Sequence, residues 1–426
     1  MSVVTAESHV RFHRLLIRPH DDDPVITVVG RPEIGEFVEL PAAYGEAISL
    51  MADGMSVGAT RRRIADVHDA EVDLAELVEA LSELGFVASI DGTPLPDAAA
   101  STPRGHFRRL SEHHVAWLFS MPMKALWLVV VAAALLTLTV RNDLIPTYSD
   151  FFWSDYVGLT VLVNTAMMSA SISVHELMHL TAARSLGAPG RIGFGTRLHN
   201  LVVQTDVTGV WGLPRRSRYR VYLAGLAWDI MVMASLILVI AHVPLADRAQ
   251  AILQALVLSV LMAIPFQFQV YMRTDLYYVL REVLRARNLF EDGIAYAKYL
   301  RTRGLDALLR RPSAITDPTA GLAPHARRAT RIYSVFLVIG ASITLAAFAL
   351  FTAPIVIGAL VRAVQGIGGG SALMALDSGL FILVEGGIQV LFIVTFVRTH
   401  PHWFRRRSRA TTGRRREKPL PPAERR

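Results

Sequence analysis

The chain has 426 residues, 52% of them hydrophobic and 19% charged, with no cysteine and a net charge of +8. So apolar a composition excludes an ordinary soluble enzyme and points to a multi-span membrane protein, and the lack of cysteine excludes disulfides and thiolate metal sites. The positive excess sits beside apolar runs and in the tail "RRRSRATTGRRREK", which reads as an orientation signal with attraction to anionic lipid rather than as a nucleic-acid surface.

Residues 8–92 are polar enough for a soluble domain. The stretches "VITVV" and "GEFVEL" alternate and predict short strands. One helix is predicted over "AYGEAISLMADG", ending at Gly54, and a second starts after Ser56. A third follows Asp73, a good N-cap, and places Leu74, Leu77, Val78, Leu81 and Leu84 on one face. "FVASI" predicts a closing strand, so the unit reads as a small α+β winged-helix-like domain. Arg61, Arg62 and Arg63 fit a solvated helix face better than a DNA contact. A Pro/Ala/Ser-rich linker occupies residues 93–117.

Apolar runs follow at about 122–140, 157–183, 219–242, 251–272, 332–358 and 374–397. Each is near the roughly 20 residues that a bilayer core demands. Arginines flank the first run on its N-terminal side and follow the second, fourth and sixth, whereas the intervening loops are acidic or neutral. Residues 118–400 are therefore predicted to be an all-α polytopic membrane domain of six transmembrane helices. Residues 401–426 form a basic tail, with both ends of the chain in the cytoplasm of a cell-membrane protein. The first 30 residues contain no apolar signal core, in keeping with that orientation.

The second run contains "SISVHELMHLTAARSLG". His175 and His179 fall one turn apart on one helix face, the spacing that binds a single zinc ion, and Glu176 is placed to act as general base toward water. Ionisable groups at membrane depth are expensive and point to function. A polar contact between helices is the alternative. At about 1.5 Å per residue the histidines lie about 27–33 Å along their span, at its predicted cytoplasmic end. Asp275, about 36 Å along the fourth run, reaches the same end and is the candidate third ligand. Its alternative is a solvated carboxylate paired with Arg273 or Arg281.

"HELMHLTAARSLGA" resembles the active-site helix of the site-2 protease family of intramembrane zinc metalloproteases. "QTDVTGVWGLPRRSRYRVYLAGLAWD" and "MRTDLYY" are similar to segments of its bacterial peptide zinc metalloprotease branch. The resemblance covers about residues 157–300 and implies bound Zn2+, with Asp275 as third ligand. It departs at Gln269-Val270, where the family has Asn-Pro, and at Leu276, where it has Gly. "LPAAYGEAISLMADGMSVGATRRRIADVHDAEVDLAELVEALSELGFV" is similar to the PqqD-like leader-recognition domains of modified-peptide biosynthesis, which capture an extended peptide at a sheet edge.

Asp229, inside the third span, is placed to hydrogen-bond a ligating histidine or to face the cavity. Asp206 matches the family's DVT, in a segment that alternates enough to form a hairpin beside an extended substrate. Glu385 reads as a helix contact and His199 as a surface residue. The expected function is an intramembrane zinc endopeptidase acting on a membrane-associated or leader-bearing precursor peptide. Peptide-modifying enzymes or an exporter are the further partners implied. Two alternatives stand beside it: a catalytically silent peptide-binding, export or immunity factor, and a site-2 protease that releases a membrane-anchored regulator.

Overall fold

The computed structural model describes residues 4–21, 23–68, 72–97, 110–198, 200–286, 288–312, 315–369 and 371–399. The basic tail, residues 98–109 of the linker and His199 lie outside the described residues.

The N-terminal unit is built from β1 (Val10–Phe12), β2 (Leu16–Pro19), β3 (Ile26–Arg31), β4 (Glu36–Pro41), α1 (Ala42–Ala52), α2 (Val57–His68), α3 (Leu74–Glu83), β5 (Val87–Ile90) and β6 (Thr93–Pro94). Two antiparallel three-stranded sheets result, ordered β1-β5-β6 and β2-β3-β4. Asp73 caps α3 as expected, its carboxylate accepting the Ala75 and Glu76 amides at 3.0 Å. Leu74, Leu77, Val78 and Leu81 enter a core with Val29, Ile48, Ile64 and Phe86, while Leu84 packs at its margin. Arg31 is 1% exposed, donating to the Gly85 carbonyl at 2.7 Å and pairing with Asp97 at 2.8 Å. Arg61, Arg62 and Arg63 are exposed on α2.

Among the described residues, six helices are long and apolar enough to cross a membrane. They are α4 (Met121–Val140), α5 (Val157–Arg184), α7 (Ala224–His242), α8 (Asp247–Gln267), the run Pro324–Gln365, and α13 (Ala372–Thr399). Their outward faces carry exposed Leu128, Leu136, Ile343, Leu376 and Leu383, as a lipid-facing surface requires. Between them lie the β7 (Arg191–Arg197) and β8 (Asn200–Asp206) hairpin, α6 (Arg215–Tyr222), α9 (Asp275–Val283) and α10 (Leu289–Leu308).

Three predicted runs change at their ends. The third span begins at Ala224, because α6 is a separate charged helix ahead of it. The fourth stops at Gln267, two residues past the helix-interior Pro265. The fifth is one long run in which α11 (Pro324–Ala347) passes through a π-helical turn, Phe348–Thr352, into α12 (Ala353–Gly369).

The N-terminal unit sits on the membrane core through β2. The Arg18 guanidinium donates to the carbonyls of Gly212 at 2.8 Å and Leu213 at 3.1 Å. Asp21 accepts the Arg215 amide at 3.2 Å and pairs with Arg218 at 2.9 Å.

At the end of α5 opposite the histidines, the Asp377 carboxylate of α13 accepts the amides of Gly158 at 3.0 Å and Leu159 at 2.9 Å. It therefore caps α5 from a neighbouring helix. Gly158 allows this approach, since a Cβ there would collide with the Asp377 carbonyl. Asp377→Ala is expected to cost about 0.5–2 kcal/mol as a lost cap. Gly158→Ala should cost about 1–3 kcal/mol as overpacking. Thermal unfolding in detergent measures both, and unchanged midpoints would refute the capping role.

A candidate metal centre at the end of α5

The helical spacing on α5 brings His175 and His179 together, with ring centroids 4.9 Å apart and Nε2 atoms 3.2 Å apart. Both are buried. Asp275 opens α9, and its Oδ2 stands 2.9 Å from His175 Nε2 and 3.1 Å from His179 Nε2. Gln267 holds this carboxylate's turn, its side-chain oxygen accepting the Asp275 amide at 3.1 Å and its carbonyl the Thr274 hydroxyl at 2.6 Å. The left-handed residue of that turn is Arg273, with φ 59°, so Leu276 lies inside α9 without backbone strain. The solvated ion-pair alternative for Asp275 does not form: Arg273 pairs with Glu291 and Arg281 with Glu282.

The other ring nitrogens decide the chemistry. His175 Nδ1 meets the buried Asp229 carboxylate at 2.7 Å, and His179 Nδ1 meets the Val221 carbonyl at 2.7 Å. Carboxylates and carbonyls only accept, so each Nδ1 carries the hydrogen, and a ring in its neutral form then turns a bare lone pair inward at Nε2. Three acceptors, Nε2, Nε2 and Oδ2, then converge within 3.2 Å of one another. A proton on one imidazole relieves only one side of that triangle, and protons on both set two cations face to face. A single metal cation satisfies all three, since tetrahedral ligands at about 2.0–2.1 Å stand about 3.3–3.4 Å apart. The donor set therefore fits a divalent ion.

Glu176 lies beside the first histidine, and ligand atoms of His175, Glu176 and His179 fall within 4.8 Å of one another, a group able to hold a metal ion. Gly225, which opens α7 with Ala224, leaves the space that the His175 ring fills.

These residues form one wall of a cavity of about 2210 Å³. The β7–β8 hairpin forms another, tied to the motif helix where the Thr205 hydroxyl donates to the Glu176 carbonyl at 2.9 Å. Asp206 lies at the hairpin's base, accepting from Arg191 at 3.0 Å and from the Thr208 hydroxyl at 2.5 Å. Burial opposes its ionisation, but Thr208 and Arg191 outweigh burial and hold its carboxyl below the usual carboxylate range. Asp206 thus shapes the hairpin and does not join the histidines. Glu385 also lines the cavity, and its hydrogen bond is to Gln389 one turn along its own helix, at 3.1 Å.

No local signal marked Gly225 or Gln267 as part of the site, although the "LAG" string contains the first, and Arg197 read only as one of the arginines that follow the second run. No family model matches the chain, and no curated protein or solved structure matches it. Fold and site together define a helical chain with six described helices long and apolar enough to cross a membrane and a His175–Glu176–His179 group able to hold a metal ion, with Asp275 beside it.

Proposed function

We propose that the protein is an intramembrane zinc metallopeptidase that cleaves a membrane-associated or leader-bearing precursor peptide. The observation that carries this reading is the convergence of the His175, His179 and Asp275 acceptors beside Glu176, at the wall of a large cavity. A nitrogen- and oxygen-only donor set with an adjacent carboxylate suits zinc used for hydrolysis. When bound, the metal supplies Lewis acidity that polarises the peptide carbonyl and the attacking water.

The chain's residues supply the rest. Glu176 takes the proton from the attacking water and passes it to the leaving amide nitrogen. Asp229 and the Val221 carbonyl keep both histidines in the ligating tautomer. The hairpin offers a strand edge along which an extended peptide lies across the site. The winged-helix-like, PqqD-like reading of the N-terminal unit favours a leader-bearing peptide over a membrane-tethered regulator, because that unit is seated directly on the segment leading into α6. The positive-inside distribution of charge supports a cytoplasmic position for it.

Metal content of the detergent-purified chain tests the reading, together with cleavage of a quenched fluorescent peptide library. About one zinc per chain is expected in the wild type and in Glu176→Gln, and none in His179→Ala or Asp275→Ala. Glu176→Gln should cleave about 10²–10⁴-fold more slowly. Zinc-free folded wild type, or full activity in Glu176→Gln, would overturn the proposal.

A further inference from the structure

Among the described residues four arginines line the cavity, and three of them have carboxylate partners. Arg191 pairs with Asp206 at 3.0 Å, Arg273 with Glu291 at 3.6 Å and Arg281 with Glu282 at 3.6 Å. Arg197 differs. Among the described residues its guanidinium donates only to the neutral Gln204 side chain, at 3.4 Å. It is half-buried, and burial draws its pKa below the ordinary guanidinium value. The carboxylates whose charge it feels most are Asp275 and Glu176, both at the metal centre.

A partly desolvated cation with no carboxylate at hydrogen-bond distance is costly, so a group that enters the cavity is the natural partner. The strand gives that partner a path. Side chains alternate along β7, so Arg191, Gly193, Gly195 and Arg197 share one face. Gly193 leaves that face open, while the Gln204 side chain of β8 lies over Gly195, and the two arginines stand about 20 Å apart along the strand at about 3.3 Å per residue. At its tip the hairpin reaches the ligand turn, where Asn200 contacts Met272, three residues before Asp275.

We propose that Arg197 is the cavity's carboxylate-binding group, pairing with an acidic group of a peptide laid along β7. The chemistry is that of a peptide carboxylate, from an Asp or Glu side chain or from the chain's C-terminus. A planar guanidinium fork grips a carboxylate through two parallel hydrogen bonds, which an amide cannot reproduce. The site would therefore select acidic peptides and set their register against the metal centre. The inference rests on the peptidase reading for its choice of ligand class, and its test involves no cleavage.

The probes are fluorescein-labelled Leu/Ser decapeptides carrying one central Asp or Asn, each with a free or amidated C-terminus. Fluorescence anisotropy reports their binding to the full-length Glu176→Gln chain in detergent, with and without Arg197→Gln. The Glu176→Gln chain should prefer one carboxylate source by about 10-fold or more. Preference for Asp identifies a side-chain carboxylate, and preference for the free terminus identifies the C-terminus. Arg197→Gln should bring the ratio to about one, and Arg197→Lys should restore part of it. An unchanged metal content and thermal midpoint in Arg197→Gln shows that the fold persists. No binding, equal binding of all probes, or a carboxylate preference that persists in Arg197→Gln overturns the proposal, the last because it places the carboxylate on the metal. Failure of cleavage in the wild type would leave this preference intact, so the two readings fail separately.

Discussion

Gly225→Ala should strip the metal from the site while leaving the fold intact. A methyl group at Gly225 would lie against the His175 ring, 2.6 Å from its Cδ2, closer than side-chain carbons approach one another. The ring has no easy retreat. Its Nδ1 is held by Asp229, which stands one turn after Gly225 on the same face of α7. One residue of that face yields the space and the other grips the ring. Metal affinity should fall about 100-fold or more, above the 10–100-fold that removal of an outer hydrogen-bond partner typically costs. Overpacking costs about 1–3 kcal/mol, and the roughly 1 kcal/mol that alanine adds over glycine within a helix offsets part of it, so general unfolding is not the expected cause. Gly379→Ala, where an added Cβ meets nothing within 4 Å, serves as the silent control. Equilibrium dialysis against zinc measures both variants. Wild-type affinity in Gly225→Ala would show that His175 does not stand where the hydrogen bonds place it.

Local signals in the sequence carried well into the structure. The period of α3 and its Asp73 cap depend on neighbouring residues only, and both formed as expected. His175 and His179 were legible for the same reason, because a turn of helix brings i and i+4 together whatever surrounds them. Asp275 was reachable from span length and from resemblance, since both histidines and the end of the fourth span were expected at one membrane face. What escaped was long-range or weakly patterned. The strands β1, β2 and β6 span two to four residues, too short for alternation to register. The α6 helix merged with the third span because Val221, Tyr222 and Leu223 continue the apolar run ahead of Ala224. The tie between Asp21 and Arg218 joins residues 197 positions apart, and nothing near either residue announces the other. Arg197 read as one more basic residue in a cytoplasmic loop; only the folded hairpin turns it toward the cavity.

Removal of Glu282 is expected to have the largest effect on stability. Its side chain is 5% exposed and accepts two hydrogen bonds from Arg218, itself 3% exposed, at 3.0 and 3.2 Å. Arg215 and Arg281 also stand 3.6 Å from it. Glu282→Ala would take from these three guanidiniums the carboxylate they share, while Arg218 would keep Asp21 at 2.9 Å. Removing one partner of a buried pair in this way costs about 3–5 kcal/mol. The consequence extends to the metal centre, because Glu282 follows Asp275 by seven residues on the nine-residue α9 and shares its face. Arg218 therefore fixes the orientation of the helix that presents Asp275, the proposed third ligand. Denaturant unfolding in detergent and zinc affinity should fall together in Glu282→Ala. An apolar replacement of the pair, Arg218→Met with Glu282→Leu, removes both charges and should recover much of the stability. It would not restore the contact between Arg218 and Asp21, so the seat of the N-terminal unit should stay weakened. Stability regained without zinc affinity would show that the ion pair orients α9; recovery of both would show that packing alone holds it.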